Sequence, residues 1–254
     1  MKLVVLGAQD ITDVPGLQAA ITGIETVCAP DAAALAKHLP GAEVMLGWDC
    51  RGRELAECWD KADNLNWVHW CGAGVDAALF PEMVASDVVL TNARGIFDRA
   101  MAEYVLGYML YETKRFGQTL AAQREGRWEY RMNNKLAGQS ALIFGAGSIG
   151  REIARVLRAM GLKVSGVGRT ARAGDECFDT IHAATDATAI AGGADWVVGV
   201  MPSTPDTENF FTADIFNAMQ PSARFINVGR GLAVDEAALL HALSSNRIAG
   251  AMLD

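Results

Sequence analysis

The sequence lacks long apolar runs, clustered cysteines and any excess of basic residues. No stretch approaches the roughly 20 uninterrupted apolar residues of a membrane-spanning helix. The first apolar run, Leu3–Leu6, is too short for a signal peptide. The 22 lysines and arginines are outnumbered by 30 aspartates and glutamates, which argues against a general nucleic-acid surface. We therefore expect neither a membrane nor a nucleic-acid partner.

Cysteine and histidine are sparse and dispersed. The five cysteines show no C-x-x-C spacing, and the four histidines are not arranged at metal-ligand spacings. This distribution argues against a disulfide framework or a zinc site, and it fits a reducing compartment. We expect a cytoplasmic protein without a bound metal.

Apolar residues and glycine are, by contrast, plentiful. Apolar residues make up 51% of the 254 positions, and there are 26 glycines against 7 prolines. Low-complexity runs are absent and the mean hydropathy is +0.14, so the composition excludes intrinsic disorder. It predicts one large or two modest domains with substantial cores.

Short apolar runs alternate with helix-length segments along most of the chain, which predicts parallel sheets with helices on both faces. A helical stretch over residues 100–127 interrupts this alternation. We therefore expect two α/β units, residues 1–94 and 95–254, with a long linking helix over 100–127 in the second. The predicted strands are Leu3–Leu6, Thr26–Cys28, Val44–Leu46, Trp67–Trp70, Val88–Thr91, Ser140–Phe144, Lys163–Val167, Trp196–Met201, Arg224–Val228 and Ile248–Leu253.

A glycine-rich segment follows the predicted strand Ser140–Phe144 and begins a helix. Its G-x-G-x-x-G pattern in this strand–turn–helix context is typical of a dinucleotide-binding turn. The first glycine would form the tight turn, the second would let the backbone approach a pyrophosphate, and the third would let helix and strand pack closely. The alternative is a glycine-rich turn without a ligand. The predicted binding residues are Gly145, Gly147, Ser148, Ile149 and Gly150.

The end of the next predicted strand indicates which dinucleotide is bound. Gly168 stands where an NAD-binding unit would carry an acidic residue for the ribose 2′-hydroxyl, and Arg169, Thr170 and Arg172 follow. Two guanidinium groups and no carboxylate favour a 2′-phosphate. We expect NADP(H) to be preferred over NAD(H), the alternative being that both arginines are solvated surface residues.

Two further strand ends carry candidate site residues. Arg230 lies between two glycines after a predicted strand, where it can bind a carboxylate and polarise an adjacent carbonyl. The alternative is a structural arginine that closes a loop. Gly72, Ala73 and Gly74 follow the strand Trp67–Trp70, and successive small residues there can expose backbone N–H groups to a small anion. The latter pattern also fits a plain strand-to-helix turn.

Taken together, these motifs resemble those of the D-isomer-specific 2-hydroxyacid dehydrogenases, and the resemblance covers essentially the whole chain. Within that family, the arginine-bearing turn and Trp48 look most like the NADPH-dependent glyoxylate/hydroxypyruvate reductase branch. The resemblance implies a flavodoxin-like substrate domain over 1–94 and a Rossmann cofactor domain over 95–254. The motifs that carry it are Gly72–Asp76, Thr91–Gly95 with Met101–Glu103, Gly145–Gly150, Met201–Pro205, Asn227–Gly231 and Gly250–Asp254.

The resemblance also implies a role for each matching residue. Backbone amides of Gly72, Ala73 and Gly74 would bind the substrate carboxylate, next to Trp48. Arg230 would be catalytic, since it would hold the carboxylate and the carbonyl oxygen on which charge grows as hydride arrives from NADPH. The product would be a D-2-hydroxy acid. The residues implied at the cofactor are Met201, Pro202, Val228 and Asp254.

Family members use a histidine, assisted by a glutamate, to donate a proton to the carbonyl oxygen. In the family this pair lies downstream of the strand that Asp254 ends, together with a helix that closes over the first domain. We therefore expect a C-terminal closing segment to be missing here and the 254 residues to bind NADPH with little or no turnover. None of the resident histidines, of which His69 is nearest to the anion-binding segment, is expected to substitute.

Two other functions remain open at this point. A catalytically silent, dinucleotide-sensing protein of the same fold would suit the missing acid–base pair, but it would leave Arg230 without a purpose. A different dinucleotide-dependent oxidoreductase would fit the glycine-rich turn but not the remaining motifs. The apolar residues of the 100–127 stretch fit either core packing or an interface. Because the family commonly dimerises through this region, we expect a homodimer.

Overall fold

The computed structural model describes residues 1–49 and 52–254, and the chain divides into two compact units, Met1–Ile96 and Phe97–Asp254. The division lies two residues beyond the 94/95 boundary expected from the sequence. Within the described residues, no helix is long and apolar enough to cross a membrane.

The first unit contains one parallel sheet with the strand order β2-β1-β3-β4-β5. This is the flavodoxin-like order, as expected for the first domain. Its strands are β1 (Lys2–Leu6), β2 (Glu25–Ala29), β3 (Val44–Gly47), β4 (Trp67–Trp70) and β5 (Val89–Asn92). Its helices are α1 (Leu17–Ala20), α2 (Ala32–His38), α3 (Glu54–Glu57) and α4 (Pro81–Val84), and short 3-10 turns occupy Ile11–Asp13 and Trp59–Lys61.

The two faces of this sheet are covered unequally. One face packs against α2, α3 and α4 around fully buried side chains that include Leu35, Met45 and Val68. The other carries the smaller cluster of Leu3, Val5, Ala8 and Val14, with half-buried residues of α1 against it. Alternate strand residues point to opposite faces, which is why neighbours such as Val4 and Val5 belong to different clusters.

The second unit contains a sheet with the strand order β12-β11-β10-β6-β7-β9-β8. Apart from the short antiparallel β8, its strands are parallel and follow the order of a Rossmann fold. Its strands are β6 (Ser140–Phe144), β7 (Lys163–Gly168), β8 (Arg172–Ala173), β9 (Thr180–Ala183), β10 (Trp196–Gly199), β11 (Arg224–Asn227) and β12 (Gly250–Leu253). Its helices are α5 (Asp98–Thr113), α6 (Phe116–Arg124), α7 (Ser148–Ala159), α8 (Ala187–Ala191), α9 (Ala213–Ala218) and α10 (Glu236–Ser244), with 3-10 turns at Ala184–Asp186, Pro205–Thr207 and Gly231–Ala233.

Both faces of the second sheet are buried. Helices α5 and α7 cover one face, where Ile153, Ala154 and Leu157 of α7 are fully buried. The opposite face packs against α8, α9 and α10 around phenylalanines in edge-to-face contact that include Phe211 and Phe225. Full burial of each such side chain stabilises the folded state by about 1.5–3 kcal/mol. Because both faces of the sheet are buried in this way, the ends of its strands are held in fixed positions.

The structure corrects three predictions about elements. The single linking helix over 100–127 is wrong, because α5 ends at Thr113 and α6 begins at Phe116, with Arg115 in the left-handed region at a φ of 53°. Strands β8 and β9 were missed. Two predicted strands end early, since β10 stops at Gly199 and β11 stops at Asn227.

Candidate active site

The glycine-rich turn follows β6 and begins α7. Gly145 has a φ of 112°, and a Cβ atom there would lie 2.7 Å from the carbonyl oxygen of Val200. A Cβ atom at Gly150 would lie 1.9 Å from the carbonyl oxygen of Gly145. Gly145 is therefore required for its backbone conformation and Gly150 for the close approach of helix and turn.

Gly147 differs because the space around it is open. Its φ of −83° suits any residue, and an added Cβ atom would meet nothing within 4 Å. Gly147 is the N-cap of α7, and no side chain caps the free N–H groups of the first turn, which include those of Ser148 and Ile149. Open space before uncapped N–H groups fits a pyrophosphate, so the turn present here fits a dinucleotide.

A side chain of α5 contacts this turn. The hydroxyl of Ser148 donates a hydrogen bond to Oδ2 of Asp98, the first residue of α5. The other oxygen, Asp98 Oδ1, is buried and has no hydrogen-bond partner within residues 1–49 and 52–254. The bond joins the first residues of α5 and α7. Sequence reasoning missed Asp98, because no local pattern links residues that are 50 positions apart.

The carboxyl end of β7 carries the arginines expected to select the dinucleotide. Arg169, Thr170 and Arg172 are exposed. In the described part of the chain, neither arginine side chain makes an ion pair or hydrogen bond. The Nη1 atom of Arg172 lies 3.9 Å from where a Cβ atom of Gly168 would be. A guanidinium therefore lies next to the position at which an NAD-binding unit would carry an acidic side chain.

An ion pair that the sequence did not reveal joins the following segment to α7. Arg151 Nη2 lies 2.6 Å from Asp175 Oδ2, while Asp175 Oδ1 accepts the backbone N–H groups of Cys177 at 2.9 Å and Phe178 at 3.2 Å. The hydrogen bond from Arg151 and those from the backbone lower the pKa of Asp175 to about 2. The carboxylate is therefore ionised throughout the neutral range.

The ends of β10 and β11 form the neighbouring part of the same sheet edge. Gly229 is required there, because a Cβ atom would lie 2.8 Å from the carbonyl oxygen of Met201. The buried side chain of Asn227 donates to the carbonyl oxygen of Arg230 at 3.1 Å and accepts from the N–H of Gly229 at 3.4 Å. These contacts fix the backbone of the turn that carries the partly buried Arg230.

The structure thus gathers the predicted residues of the second unit at one edge of its sheet, beyond the carboxyl ends of β6, β7, β10, β11 and β12. The backbone N–H of Asp254 donates to the carbonyl oxygen of Asn227 at 3.0 Å, which holds the last residue of the chain against β11. Val228 is buried, whereas Pro202 is exposed. The gathered residues are Gly145, Gly147, Ser148, Ile149, Gly150, Arg169, Thr170, Arg172, Met201, Pro202, Val228, Arg230 and Asp254.

The predicted anion-binding segment lies in the first unit, beyond β4. The backbone N–H groups of Gly72, Ala73 and Gly74 donate no hydrogen bond within the described part of the chain. The segment is held instead through its carbonyl groups, since Asn92 Nδ2 donates to Ala73 at 2.7 Å and the N–H of Ala93 donates to Gly72 at 3.1 Å. Three available N–H groups in succession suit a small anion.

Other predicted or candidate residues of the first unit flank this segment. Burial raises the pKa of the Cys71 thiol, so it is neutral at pH 7. Trp48 follows β3 and is partly exposed. Cys50 and Arg51, which follow Trp48 by two and three positions, lie outside the described residues. His69 lies within β4, where its Nδ1 contacts the hydroxyl of Thr91 at 2.9 Å.

Comparison with known proteins gives a consistent result. The sequence-family model of the D-isomer specific 2-hydroxyacid dehydrogenase, NAD binding domain, matches residues 106–254 of this chain. Glyoxylate/hydroxypyruvate reductase A of Escherichia fergusonii is 30% identical over 241 residues, which are 87% of this chain and 75% of that protein. The chain spans between 33% and 75% of the length of this and three other curated relatives.

Solved structures agree in fold along the chain. A D-isomer specific 2-hydroxyacid dehydrogenase family protein from Aeromonas salmonicida aligns with a TM-score of 0.87 and 32% identity, covering 100% of this chain and 81% of its own. An NADPH-dependent glyoxylate/hydroxypyruvate reductase from Sinorhizobium meliloti, in complex with NADP and sulfate, aligns with a TM-score of 0.82 and 27% identity, covering 100% and 82%.

A Rossmann sheet with a G-x-G-x-x-G turn and uncapped N–H groups defines the second unit as a nicotinamide dinucleotide-binding domain. With the matches above, the chain belongs to the D-isomer-specific 2-hydroxyacid dehydrogenase family.

Proposed function

We propose that the protein is an NADP(H)-dependent reductase of a small 2-oxo acid, of the glyoxylate or hydroxypyruvate type, and that the product is a D-2-hydroxy acid. The named reductases among its relatives support this class of substrate. When bound, the reduced nicotinamide supplies the hydride. Residues 1–94 would form the substrate domain and residues 95–254 the cofactor domain.

The observation that carries the NADP(H) preference is the pair of arginines beyond β7. Arg172 lies beside Gly168, and neither it nor Arg169 is neutralised by a carboxylate of the described residues. A guanidinium forms charge-assisted hydrogen bonds with a phosphate. A 2′-phosphate would therefore gain both electrostatic attraction and specific contacts, whereas the ribose of NAD(H) would find no carboxylate at Gly168.

The substrate would be held by its carboxylate and polarised at its carbonyl. The three available N–H groups of Gly72, Ala73 and Gly74 suit the carboxylate. Arg230, on a backbone fixed by Asn227 and Gly229, would stabilise the charge that develops on the carbonyl oxygen. Trp48 would contribute to substrate binding.

The cofactor preference is tested by measuring Kd for NADPH and NADH from the quenching of protein fluorescence. We expect Arg172→Ala to weaken NADPH binding about tenfold, with NADH binding changed less than about twofold. Gly168→Asp places a carboxylate beside Arg172 and should reverse the preference. Equal affinities of the unmodified protein for both dinucleotides would contradict the proposal.

The activity is tested by adding glyoxylate or hydroxypyruvate, together with NADPH, to the protein isolated from its natural source. A decline in NADPH absorbance supports the reductase. Tight NADPH binding without any decline would instead favour the dinucleotide-sensing protein, the alternative that leaves Arg230 without a role. We further propose a cytoplasmic location, in keeping with the dispersed cysteines.

We also propose that the protein forms a homodimer through α5, α6 and the segment that follows them. Trp128 and Tyr130 of that segment are 95% and 80% exposed, and two neighbouring large aromatic side chains in solvent indicate an interaction surface. Sedimentation equilibrium should give a dimer for the unmodified protein and a shift to monomer for Trp128→Ser with Tyr130→Ser. Leu240→Ser, at another exposed apolar residue, is the matched control. A monomeric unmodified protein would overturn this proposal.

A further inference from the structure

The segment that carries Arg172 is a small hairpin. Strand β8 pairs antiparallel with β9, with Arg172 opposite Ile181 and Ala173 opposite Thr180. The turn between the strands closes tightly, because a Cβ atom at Gly174 would lie 2.1 Å from the carbonyl oxygen of Asp179. We call residues 172–183 the arginine hairpin.

The closed end of the arginine hairpin is fastened to the rest of the unit by side-chain contacts and by two hydrogen bonds between Asp179 and the backbone of Val164 in β7. Phe178 is fully buried against the sheet, where its ring fills the space beside Gly166. Arg158 of α7 pairs with Asp179. Arg151, one turn from the start of α7, pairs with Asp175.

Arg151 connects the arginine hairpin to the part of α7 beside the dinucleotide-binding turn, through its ion pair with Asp175 and through its guanidinium, which lies 5.9 Å from the centre of the Phe178 ring. Arg151 directly follows Gly150 in the sequence. Asp175 is three residues beyond Arg172, and it also accepts two N–H groups of its own turn. The side chains of Arg151 and Asp175 are each about one-third exposed.

At its open end, the arginine hairpin is attached to the sheet because β9 pairs parallel with β7, and β8 lies beyond β9 at the sheet edge. Arg169, Thr170 and Arg172 are exposed, and the two guanidinium groups make no ion pair within the described ranges. The location of Arg172 beside Gly168 is therefore set by the backbone of β8, which pairing with β9 holds at the open end and the side-chain contacts above hold at the closed end.

We propose that Asp175 is a positioning residue for the selection of NADP(H): by pairing with Arg151, it holds the arginine hairpin so that Arg172 faces the 2′-phosphate position. This inference rests on the proposed NADP(H) preference and adds a residue to it. Asp175 acts through Arg151 and Arg172, without contacting the dinucleotide.

A purely electrostatic role of Asp175 would have the opposite sign. Asp175 is an anion near a site proposed to bind a phosphate dianion, and its removal also frees the charge of Arg151. If charge alone mattered, neutralising Asp175 would tighten NADPH binding. If Asp175 acts by positioning Arg172, the same change weakens NADPH binding. NADH binding stays unchanged, because NADH lacks the 2′-phosphate that Arg172 is proposed to bind.

The experiment compares Asp175→Asn with Glu176→Gln by measuring Kd for NADPH and NADH from fluorescence quenching. Both variants remove one negative charge from the same turn, but Glu176 is exposed and takes part in no ion pair of the described residues. We expect Asp175→Asn to weaken NADPH binding about fivefold and to change NADH binding less than about twofold. Glu176→Gln should leave NADPH binding unchanged or slightly tighter.

Folding is controlled within the same series. The amide oxygen of Asp175→Asn can still accept the N–H groups of Cys177 and Phe178, so the turn is retained and the thermal unfolding midpoint should change little. Asp175→Glu, which restores a carboxylate partner for Arg151, should recover most of the NADPH affinity.

Two outcomes overturn the inference. Unchanged or tighter NADPH binding by Asp175→Asn would show that the pair does not position Arg172. An equal loss for NADPH and NADH would show a general structural role. The underlying proposal of an NADP(H) preference would fail in a different way. In that case the unmodified protein would bind NADPH and NADH equally well, and Arg172→Ala would not change NADPH binding.

Discussion

At the scale of single residues, the three glycines of the dinucleotide-binding turn are required for different reasons. Gly145 adopts a left-handed φ, and Gly150 allows helix and turn to touch. Gly147 faces open space and adopts a conformation that suits any residue. Folding therefore depends on two of the glycines, while the third matters for the ligand.

This difference gives a matched pair of variants. Gly150→Ala places a methyl group against a backbone oxygen and should lower the free energy of unfolding by about 1–3 kcal/mol. Gly147→Ala should leave stability within about 0.5 kcal/mol but weaken NADPH binding about tenfold or more, because the methyl group fills the pyrophosphate space. Urea denaturation and NADPH titration measure the two effects. Normal NADPH binding by Gly147→Ala would contradict this assignment of the turn.

At this scale the sequence located the glycine-rich turn, whose signal is local, whereas the binding role of the arginines after β7 stays a prediction. The glycine spacing and the arginines after β7 are each contained in a few consecutive residues. Asp98 and Asp175 were missed because their partners, Ser148 and Arg151, are 50 and 24 positions away. Such contacts exist only once the chain has folded, because Ser148 and Arg151 lie in the first turn of helix α7 and meet Asp98 and Asp175 from distant parts of the sequence.

At the scale of elements, the break between α5 and α6 was the main error. The sequence across it, Thr113-Lys114-Arg115-Phe116, contains neither proline nor glycine. The chain nevertheless turns at Arg115, and α6 returns close to α5. A Cβ atom at Gly117 would lie 2.4 Å from the hydroxyl oxygen of Tyr111. The break therefore coincides with a close approach of α6 to α5 that no proline or glycine at the break itself indicates.

Arg115 holds a conformation that costs a non-glycine residue roughly 1–2 kcal/mol. Arg115→Gly should therefore stabilise the protein by up to about 1 kcal/mol, part of the gain being lost to the greater freedom of the unfolded chain. Arg115→Ala keeps the unfavourable φ and should have little effect. Urea denaturation of the two variants measures the difference. Destabilisation by Arg115→Gly would show that its side chain stabilises the break.

At the scale of the whole molecule, alternation of strands and helices predicted two α/β units correctly. The order of strands within each sheet came from the resemblance to the family, because alternation alone does not say which strands are neighbours. The two short strands of the arginine hairpin escaped prediction, since Arg172–Ala173 is too short to show a periodic pattern.

The arrangement of site residues also predicts the activity of a polypeptide of these 254 residues. It should bind NADPH, because the turn and Arg172 are present. Its turnover of glyoxylate should be lower than that of named relatives by about a hundredfold or more, since none of its histidines lies in the Arg230 turn or the Gly72–Gly74 segment to donate a proton. The assay needs a sample of verified intact mass, with NADPH titration as the control. Normal turnover by that sample would refute the expectation.

Each sheet is assembled from one continuous stretch of chain, with every strand of the first sheet ending before residue 97. The first sheet therefore has all its strands available while the remaining residues are still being synthesised. At about 5–20 residues per second, this interval lasts roughly 10–30 s, far longer than the folding time of a typical small domain. Synthesis from the amino terminus thus separates the folding of the two units in time, which limits pairing between strands of different sheets.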